Sequence, residues 1–218
     1  MTTAPTLFLV GDSVRGSYQS LLQALFGAQA KVRGPRDNAF DSANTRRRLG
    51  EWLGDLQPSV ITLNCGLHDI RRNRESGIRQ VELEDYRANM DGVITHAKGI
   101  KHCSVFVVTT TPVLEDLHQA SRDYDRLNAD VDAYNAVLCD LADRHGGLPV
   151  IDLHSAIAGG PVARFISHDG VHLNDAGRLA AASAVAKILR PRVDEALGLS
   201  GWDAQEAAVQ NSLSFRLE

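Results

Sequence analysis

The amino-acid sequence predicts an α/β fold in which a parallel sheet of about five strands is covered by helices on both faces. The length of 218 residues suits one domain with a substantial core. The composition, 44% hydrophobic and 23% charged, is that of an ordinary globular protein. Short apolar runs alternate with segments of helical spacing, which indicates right-handed crossovers and parallel pairing.

Short runs of apolar or β-branched residues predict the strands of this sheet. The run TLFLV ends at Gly11 and the run CSVFVVTTT ends at Pro112, so a turn-forming residue bounds each of them. Fully apolar runs of this length are typical of strands that are buried on both faces. The predicted strands cover residues 6–10, 59–64, 103–111 and 148–153.

Segments with helical spacing of apolar residues follow these strands. Ser42 or Asn44 is the expected N-cap of the second helix, and Asn174 or Asp175 is that of the last. We expect a single domain over residues 1–218 with a core over about residues 5–197, and the alternation breaks in the tail, residues 198–218. The predicted helices cover residues 17–28, 42–56, 82–98, 123–145 and 174–197.

The net charge and the cysteine content restrict which binding partners and which cellular compartment we expect. A net charge of −4 favours neither nucleic acid nor an anionic membrane surface as a partner. The N-terminal segment lacks a basic region, and its apolar run is too short for a signal peptide or a membrane span. Three widely spaced cysteines in apolar stretches, Cys65, Cys103 and Cys139, predict reduced thiols in a cytoplasmic protein. The oligomeric state is left open.

Polar side chains follow the predicted strands, at the edge of the sheet where the active sites of such folds gather. Asp12 and Ser13 end the first strand, and residues 64–69 follow the second. Ser13 comes two residues after Gly11 and opens a helix, so its backbone N–H can face an anion. This is a suitable position for a nucleophilic serine, although a turn with a helix cap explains the same three residues.

A second motif, HDGVHLND, places Asp169 and His172 three residues apart in a turn before the last helix. A nucleophilic serine needs a neutral imidazole to take its proton, and that imidazole needs a carboxylate to fix its tautomer. Asp169 and His172 supply both groups from one short loop. With Ser13 they predict a nucleophile, a base and an orienting acid.

Together these motifs resemble those of the SGNH (GDSL-type) serine hydrolase family. GDSV matches the first block of that family, with Ser13 as nucleophile, and DGVH matches its last block, with Asp169 and His172. The resemblance covers about residues 5–195. It implies a flavodoxin-like three-layer sandwich, a carboxylic ester hydrolase, and no cofactor.

The resemblance also implies an oxyanion hole, and there this sequence departs from the family. Ser13 would supply one backbone N–H, and Ala43 or Ser42 would stand where the family has a glycine donor. The third block reads GLHD instead of Gly-x-Asn-Asp, so His68 occupies the position of the asparagine. A neutral imidazole has one N–H and can donate in place of the amide.

Three interpretations of His68 stay open. It is the third oxyanion donor; or it lines the acyl or alcohol pocket while Asn64 or Asn44 donates; or it pairs with Asp69 in a protein whose catalysis has weakened. Asp12 is a further candidate for substrate contact because it adjoins Ser13. The histidines away from these motifs, His96, His102, His118, His145 and His154, include no pair with the spacing of metal ligands. His168 adjoins Asp169, but one neighbouring pair does not make a metal site, so no metal is predicted.

Arginines are dense near the predicted site, and most are explained as solvated surface. The sharper hypothesis is that one or two of them, such as Arg46 or Arg71, bind an anionic group of the substrate, for example a uronate or a phosphate.

The function predicted from these residues is that of a serine esterase. It would remove a small acyl group, which we expect to be acetyl, from a carbohydrate-like or other polar small molecule. Few insertions are present and no apolar lid is evident, so we expect an open, shallow site. Two alternatives remain: an acyltransferase, or hydrolase of a phosphorylated substrate, on the same scaffold, and a catalytically decayed binding module.

Overall fold

A five-stranded parallel sheet forms the centre of the protein, in a computed structural model that describes residues 3–199. The predicted α/β sandwich is confirmed, with a strand order of β2-β1-β3-β5-β7. Two further strands, β4 and β6, form a separate antiparallel pair. The strands are Thr6–Val10 (β1), Lys31–Arg33 (β2), Val60–Leu63 (β3), Arg72–Asn73 (β4), Ser104–Val108 (β5), Tyr124–Asp125 (β6) and Val150–Ile151 (β7).

The central strands β1, β3 and β5 are almost wholly buried, as their apolar runs predict. The edge strand β2 was not predicted, because its sequence KVR buries only Val32 and carries no apolar run. β5 ends at Val108, three residues before the predicted end, although Thr109–Thr111 stay buried and the Thr109 N–H still donates to Ile151 O at 3.1 Å.

The helices form two layers around this sheet. α1 packs against α7 on one face, while α2 contacts α3 and α3 contacts α5 on the other. None of the helices in residues 3–199 combines the length and apolar composition that a bilayer span requires. The helices are Ser13–Phe26 (α1), Ser42–Leu53 (α2), Leu83–Lys98 (α3), Glu115–Ser121 (α4), Asn128–Arg144 (α5), Leu153–Ala158 (α6) and Asp175–Leu197 (α7).

Side-chain caps mark where four of these helices begin, namely α1, α2, α6 and α7. α1 begins at Ser13, the residue expected to open a helix and four residues before the stretch of helical spacing over 17–28, because the Asp12 carboxylate accepts the Val14 N–H at 2.9 Å. The predicted N-caps of α2, Ser42 and Asn44, were both wrong, since Asp41 caps this helix.

The last helix is capped by Asn174, one of the two predicted residues, which accepts the Gly177 N–H at 3.0 Å. It ends at Leu197, where Gly198 adopts a left-handed conformation with φ of 69°. The rest of the predicted tail, from residue 200 onward, lies outside the described residues.

The predicted helix over residues 123–145 begins only at Asn128. The preceding residues are extended because β6 pairs with β4, with Tyr124 opposite Asn73 and Asp125 opposite Arg72. The helix prediction fails here because the strand that pairs with this segment lies about 50 residues earlier in the sequence. Local patterns do not reveal so distant a partner.

The strand order places one crevice at the edge of the sheet. The connection after β1 leads to β2 on one side of the sheet, and the connection after β3 leads to β5 on the other side. The loops after β1 and β3 therefore diverge at this point. Such a switch point is where α/β sheets bind ligands. Ser13 follows β1 and His68 follows β3, so both lie beside this crevice.

Gly177 fixes the position of α7 against the preceding segment, and this generates a stability prediction. A Cβ on Gly177 would lie 2.1 Å from the backbone oxygen of Phe165, so Gly177→Ala should destabilise the protein by roughly 1–3 kcal/mol. Gly16→Ala is the control, since nothing lies within 4 Å of its added Cβ and the helix should gain roughly 0.5–1 kcal/mol. Thermal unfolding measures both, and equal melting temperatures for the two variants would contradict the packing described.

Candidate active site

Ser13 stands at the turn from β1 into α1, where the Asp12 cap holds the backbone. Its hydroxyl oxygen lies 2.9 Å from Nε2 of His172, although the two residues are 159 positions apart in sequence. Asp12 is buried and its carboxylate is used in the cap. The serine hydroxyl is therefore held by a rigid turn and faces an imidazole nitrogen.

The loop between residues 167 and 172 orients this imidazole. Nδ1 of His172 lies 2.5 Å from Oδ2 of Asp169. The other carboxylate oxygen, Oδ1, accepts the backbone N–H groups of Val171 and His172, both at 3.0 Å, and the Ser167 hydroxyl at 2.8 Å. Each oxygen of Asp169 thus has a defined partner, and the ring of His172 has one available orientation.

These contacts also set the charge of Asp169. Partial burial alone would raise the pKa of its carboxyl, but hydrogen bonds from the His172 ring, two backbone N–H groups and Ser167 outweigh burial and hold the pKa well below its usual range. Asp169 is therefore ionised at neutral pH. An ionised acceptor on Nδ1 favours the tautomer with its proton there, which leaves Nε2 free to accept the serine proton.

Gly170 seats this loop against the start of α4. It has φ of 78°, and a Cβ there would lie 2.5 Å from Leu114 O and 2.6 Å from His118 N. The Leu114 N–H donates to Gly170 O at 2.8 Å. A side chain at this position would push the loop outward, so the glycine in DGVH allows the close contact that positions Asp169 and His172.

Two backbone donors of the predicted oxyanion hole are free. The N–H groups of Ser13 and Ala43, each in the first turn of its helix, have no acceptor among residues 3–199. The Ser42 N–H donates to Oδ1 of Asp69 at 2.9 Å, so the alternative donor is occupied. Burial raises the pKa of Asp69 to about 7.

His68 lines the same cavity as Ser13 and His172. Its Nδ1 is buried and has no hydrogen-bond partner within residues 3–199, which leaves Nε2 as the ring nitrogen open to the cavity. Partial burial lowers the pKa of His68, Arg126 lowers it further, and Asp12 partly offsets both. The ring is therefore neutral at neutral pH and carries one N–H.

The two asparagines considered as substitute donors are engaged elsewhere. The Asn64 amide is buried and donates to the backbone oxygens of Val108, at 2.9 Å, and Thr109, at 3.3 Å, so it ties β3 to β5. The Asn44 amide donates to Ala39 O at 2.8 Å. Neither side chain lines the cavity.

The two arginines considered for an anionic group lie differently. Arg46 reaches Ala88 O across α2 and α3, at 3.3 Å, and does not line the cavity. Arg71 stacks over the ring of Tyr124, with its guanidinium carbon 4.1 Å from the ring centre, and Tyr124 lines the cavity. Of the two, only Arg71 lies beside the candidate site.

The cavity around Ser13 measures about 200 Å³ and brings together residues that the sequence did not single out. Arg122, Tyr124 and Arg126 alternate along an extended segment, so their side chains share one face. This two-residue alternation is the sequence signal that could have identified these side chains, but the prediction of a helix from residue 123 concealed it. The lining residues are Asp12, Ser13, Asn38, Leu67, His68, Arg122, Tyr124, Arg126, Asp169, Val171 and His172.

The sequence also predicts reduced cysteines and no metal site. Cys65, Cys103 and Cys139 are free thiols, and burial raises the pKa of each. Residues 3–199 hold no cluster of three or more His, Cys, Asp or Glu side chains placed to bind a metal ion. That the reaction needs no metal stays a prediction, and so does the cytoplasmic location.

Comparison with known proteins identifies relatives of the whole chain. A model of the GDSL-like lipase/acylhydrolase family matches residues 8–180. The human isoamyl acetate-hydrolyzing esterase 1 homolog is 27% identical over 232 residues, which cover 96% of this chain and 92% of that protein.

Solved structures share the fold at low identity. A lipase/acylhydrolase from Enterococcus faecalis has a TM-score of 0.73 at 18% identity, covering 86% of this chain and 96% of its own. An acetylxylan esterase from Geobacillus stearothermophilus has a TM-score of 0.66 at 17% identity, covering 88% of this chain and 96% of its own.

The contact between Ser13 and His172 generates a prediction of reactivity that needs no knowledge of the substrate. Ser13 should be labelled stoichiometrically by a fluorophosphonate at neutral pH, and Ser13→Ala should not be labelled. Asp169→Asn should slow labelling by roughly 10³-fold or more, because an amide does not hold the required tautomer of His172. Intact-mass time courses measure the rates.

Asp175→Asn is the matched control for Asp169→Asn. Asp175 is a fully solvated residue three positions after His172, with a side chain 98% exposed, so its variant should be labelled at the wild-type rate. Equal labelling rates for Asp169→Asn and the wild type would remove Asp169 from the proposed triad.

Proposed function

The chain belongs to the GDSL-like lipase/acylhydrolase family and is a carboxylic ester hydrolase, and we propose that it removes a small acyl group through an acyl-enzyme on Ser13. The observation that carries this proposal is the unbroken hydrogen-bonded series from the Ser13 hydroxyl through both nitrogens of His172 to Asp169. A free N–H on Ser13, at the same turn, supplies a donor for the oxygen of the substrate carbonyl.

In the proposed reaction the Ser13 oxygen bonds to the carbonyl carbon while its proton moves to Nε2 of His172. The carbonyl π electrons move to the oxygen, and Asp169 stabilises the imidazolium that forms. When the tetrahedral intermediate collapses, the ester C–O bond breaks and the departing alcohol takes the proton from His172. Water then repeats the same steps on the acyl-enzyme and releases the acid.

His68 is proposed to replace the asparagine of the family in the oxyanion hole. Its neutral ring has one N–H, and Nε2 is the nitrogen that is open to the cavity. Phe40 holds the ring from the side, in an edge contact with the ring centres 5.4 Å apart. Because Asn64 and Asn44 are engaged elsewhere, His68 is the third-block side chain left to donate. Ser13 and Ala43 would supply the other two donors.

The proposed substrate is an acetyl ester of a carbohydrate-like or other polar small molecule. The cavity of about 200 Å³ holds roughly seven water-sized groups at about 30 Å³ each, which suits a short acyl chain. The names of two similar proteins, an acetylxylan esterase and an isoamyl acetate-hydrolyzing esterase homolog, both refer to acetate esters.

Two alternatives use the same scaffold. An acyltransferase would differ only in the nucleophile that reaches the acyl-enzyme, an alcohol in place of water. The decayed binding module is suggested by the two altered oxyanion blocks, and the contacts that join Ser13, His172 and Asp169 argue against it. We propose a small-molecule ester as partner, without nucleic acid or membrane.

The size of the cavity generates a prediction about the acyl chain. 4-Nitrophenyl acetate should be hydrolysed with a kcat/KM at least roughly 100-fold above that of the palmitate ester, because the long chain finds no enclosed apolar pocket. Initial rates in the same detergent-containing buffer, below the micelle concentration, give the comparison. A higher kcat/KM for the palmitate ester would contradict the assignment of a small acyl group.

The proposed role of His68 generates a second prediction. His68→Ala should lower kcat by roughly 10²–10³, or about 2.7–4 kcal/mol, with little change in KM, since the donor acts mainly on the charged oxygen of the transition state. His68→Asn should recover part of this loss. Steady-state kinetics from pH 5 to 9 measure both variants.

The pH profile separates His68 from His172. His68→Ala should lower the plateau of the pH profile and leave its acid limb in place, because a donor of the oxyanion hole is not the base of the reaction. His96→Ala, an exposed residue of α3, is the control and should match the wild type. A near-native kcat for His68→Ala would show that another group, such as the Asn38 amide that lines the cavity, is the third donor.

A further inference from the structure

One wall of the cavity carries guanidinium groups that no carboxylate neutralises. This arginine wall consists of Arg122 and Arg126, which line the cavity, and of Arg71, which stacks on the ring of Tyr124 beside it. Arg122, Tyr124 and Arg126 line the cavity that also contains Ser13 and His172. The guanidinium carbons of Arg71 and Arg126 lie 4.1 Å and 5.2 Å from the centre of the Tyr124 ring. The wall is therefore a compact cationic surface within the candidate site.

Arg126 is the most buried member, with 6% of its surface exposed. Its Nε donates to Leu67 O at 2.5 Å, and its Nη1 donates to Nε2 of His118 at 3.0 Å. Neither partner is anionic, and burial lowers the pKa of His118 to about 4, so this ring stays neutral. Arginine itself remains charged in proteins. Burying a cation without a counter-ion costs free energy, so we expect a further interaction that compensates for the burial of Arg126.

The nearby carboxylates are already paired with other arginines. Asp130 forms ion pairs with both Arg72 and Arg79, and Asp125 forms one with Arg74. By contrast, no carboxylate within residues 3–199 forms an ion pair with Arg71, Arg122 or Arg126. Arg72, Arg74 and Arg79 are thus neutralised by carboxylates, whereas Arg122 and Arg126, which line the cavity, form no ion pair within the described residues.

Two carboxylates do line the cavity, Asp12 and Asp169, and both are engaged. Asp12 accepts the Val14 N–H as the cap of α1, and Asp169 accepts the ring of His172. Neither lies within ion-pair distance of the arginine wall. A purely structural role for Arg126, holding Leu67 and His118 through its Nε and Nη1, explains neither Arg122 nor Arg71.

We propose that the substrate ester carries an anionic group, a carboxylate or a phosphate, that binds to Arg126 and Arg122. This rests on the proposed esterase function and names the class of its substrate. The forked donors of a guanidinium match the paired oxygens of both anions, and Arg71 adds charge from behind Tyr124. The bound anion would supply the counter-ion that Arg126 lacks in the protein.

Matched esters test this proposal on either side of the ester bond. For an anion on the alcohol part, 4-acetoxybenzoate is compared with its methyl ester. For an anion on the acyl part, 4-nitrophenyl hydrogen succinate is compared with 4-nitrophenyl methyl succinate. The anionic member of at least one pair should have the higher kcat/KM, by roughly tenfold or more. The pair that responds identifies the side that faces the arginine wall.

Variants connect the preference to the wall. Arg122→Gln and Arg126→Gln should each reduce the ratio of kcat/KM, anionic over neutral ester, by roughly tenfold. Arg122 is exposed and makes no hydrogen bond among the described residues, so its variant tests the proposal even if Arg126→Gln fails to fold. Arg192→Gln is the control for charge, since Arg192 pairs with Glu195 near the end of α7, and it should keep the wild-type ratio.

Fluorophosphonate labelling of Ser13 distinguishes the two proposals. If the wild type is labelled but hydrolyses both members of each pair equally, or if the two arginine variants keep the wild-type ratio, the anionic substrate is wrong and the esterase stands. If the wild type is neither labelled nor active on any ester, the esterase proposal fails and this one fails with it. A lowered ratio in Arg122→Gln, with unchanged Arg192→Gln, supports both.

Discussion

The carboxylate of Asp169 accepts hydrogen bonds from the Ser167 hydroxyl, from two backbone N–H groups and from Nδ1 of His172. The backbone bonds hold a tight turn, and the ring bond sets the tautomer and direction of the imidazole. Since Nε2 then faces the Ser13 hydroxyl, one carboxylate organises both the loop and the base. The same network keeps the pKa of Asp169 low, so the group that orients His172 also stays charged.

The sheet supplies the second constraint, since it brings distant segments to one edge. Ser13 follows β1 and His68 follows β3, the pair of strands between which the connections diverge. The third segment, with Asp169 and His172, is fixed from both ends: Gly170 presses on the start of α4, and Asn174 caps α7. The segments that carry Ser13 and His172 are thus anchored by backbone contacts and helix caps, which leaves their side chains free for chemistry.

Sequence reasoning was strongest where the interactions are local. The Asp169–His172 loop, the buried strands and the Asn174 cap all depend on residues within a few positions of one another. It failed where the decisive partner is distant: Tyr124–Asp125 is extended because it pairs with Arg72–Asn73, yet the sequence predicts a helix from residue 123 that includes Tyr124 and Arg126. The Asn64 amide likewise looked available, although it is bonded to the ends of β5, which no local pattern reveals.

The central claim is that Asp169 holds His172 in the tautomer that leaves Nε2 as an acceptor for the Ser13 proton. Nitrogen-15 NMR of selectively labelled histidine tests it most directly, because the two ring nitrogens have distinct shifts when protonated and unprotonated. We expect the neutral form of His172 to carry its proton on Nδ1, coupled to a hydrogen-bonded resonance that disappears in Asp169→Asn. A neutral His172 with its proton on Nε2 would contradict the claim, since that nitrogen could not then accept from Ser13.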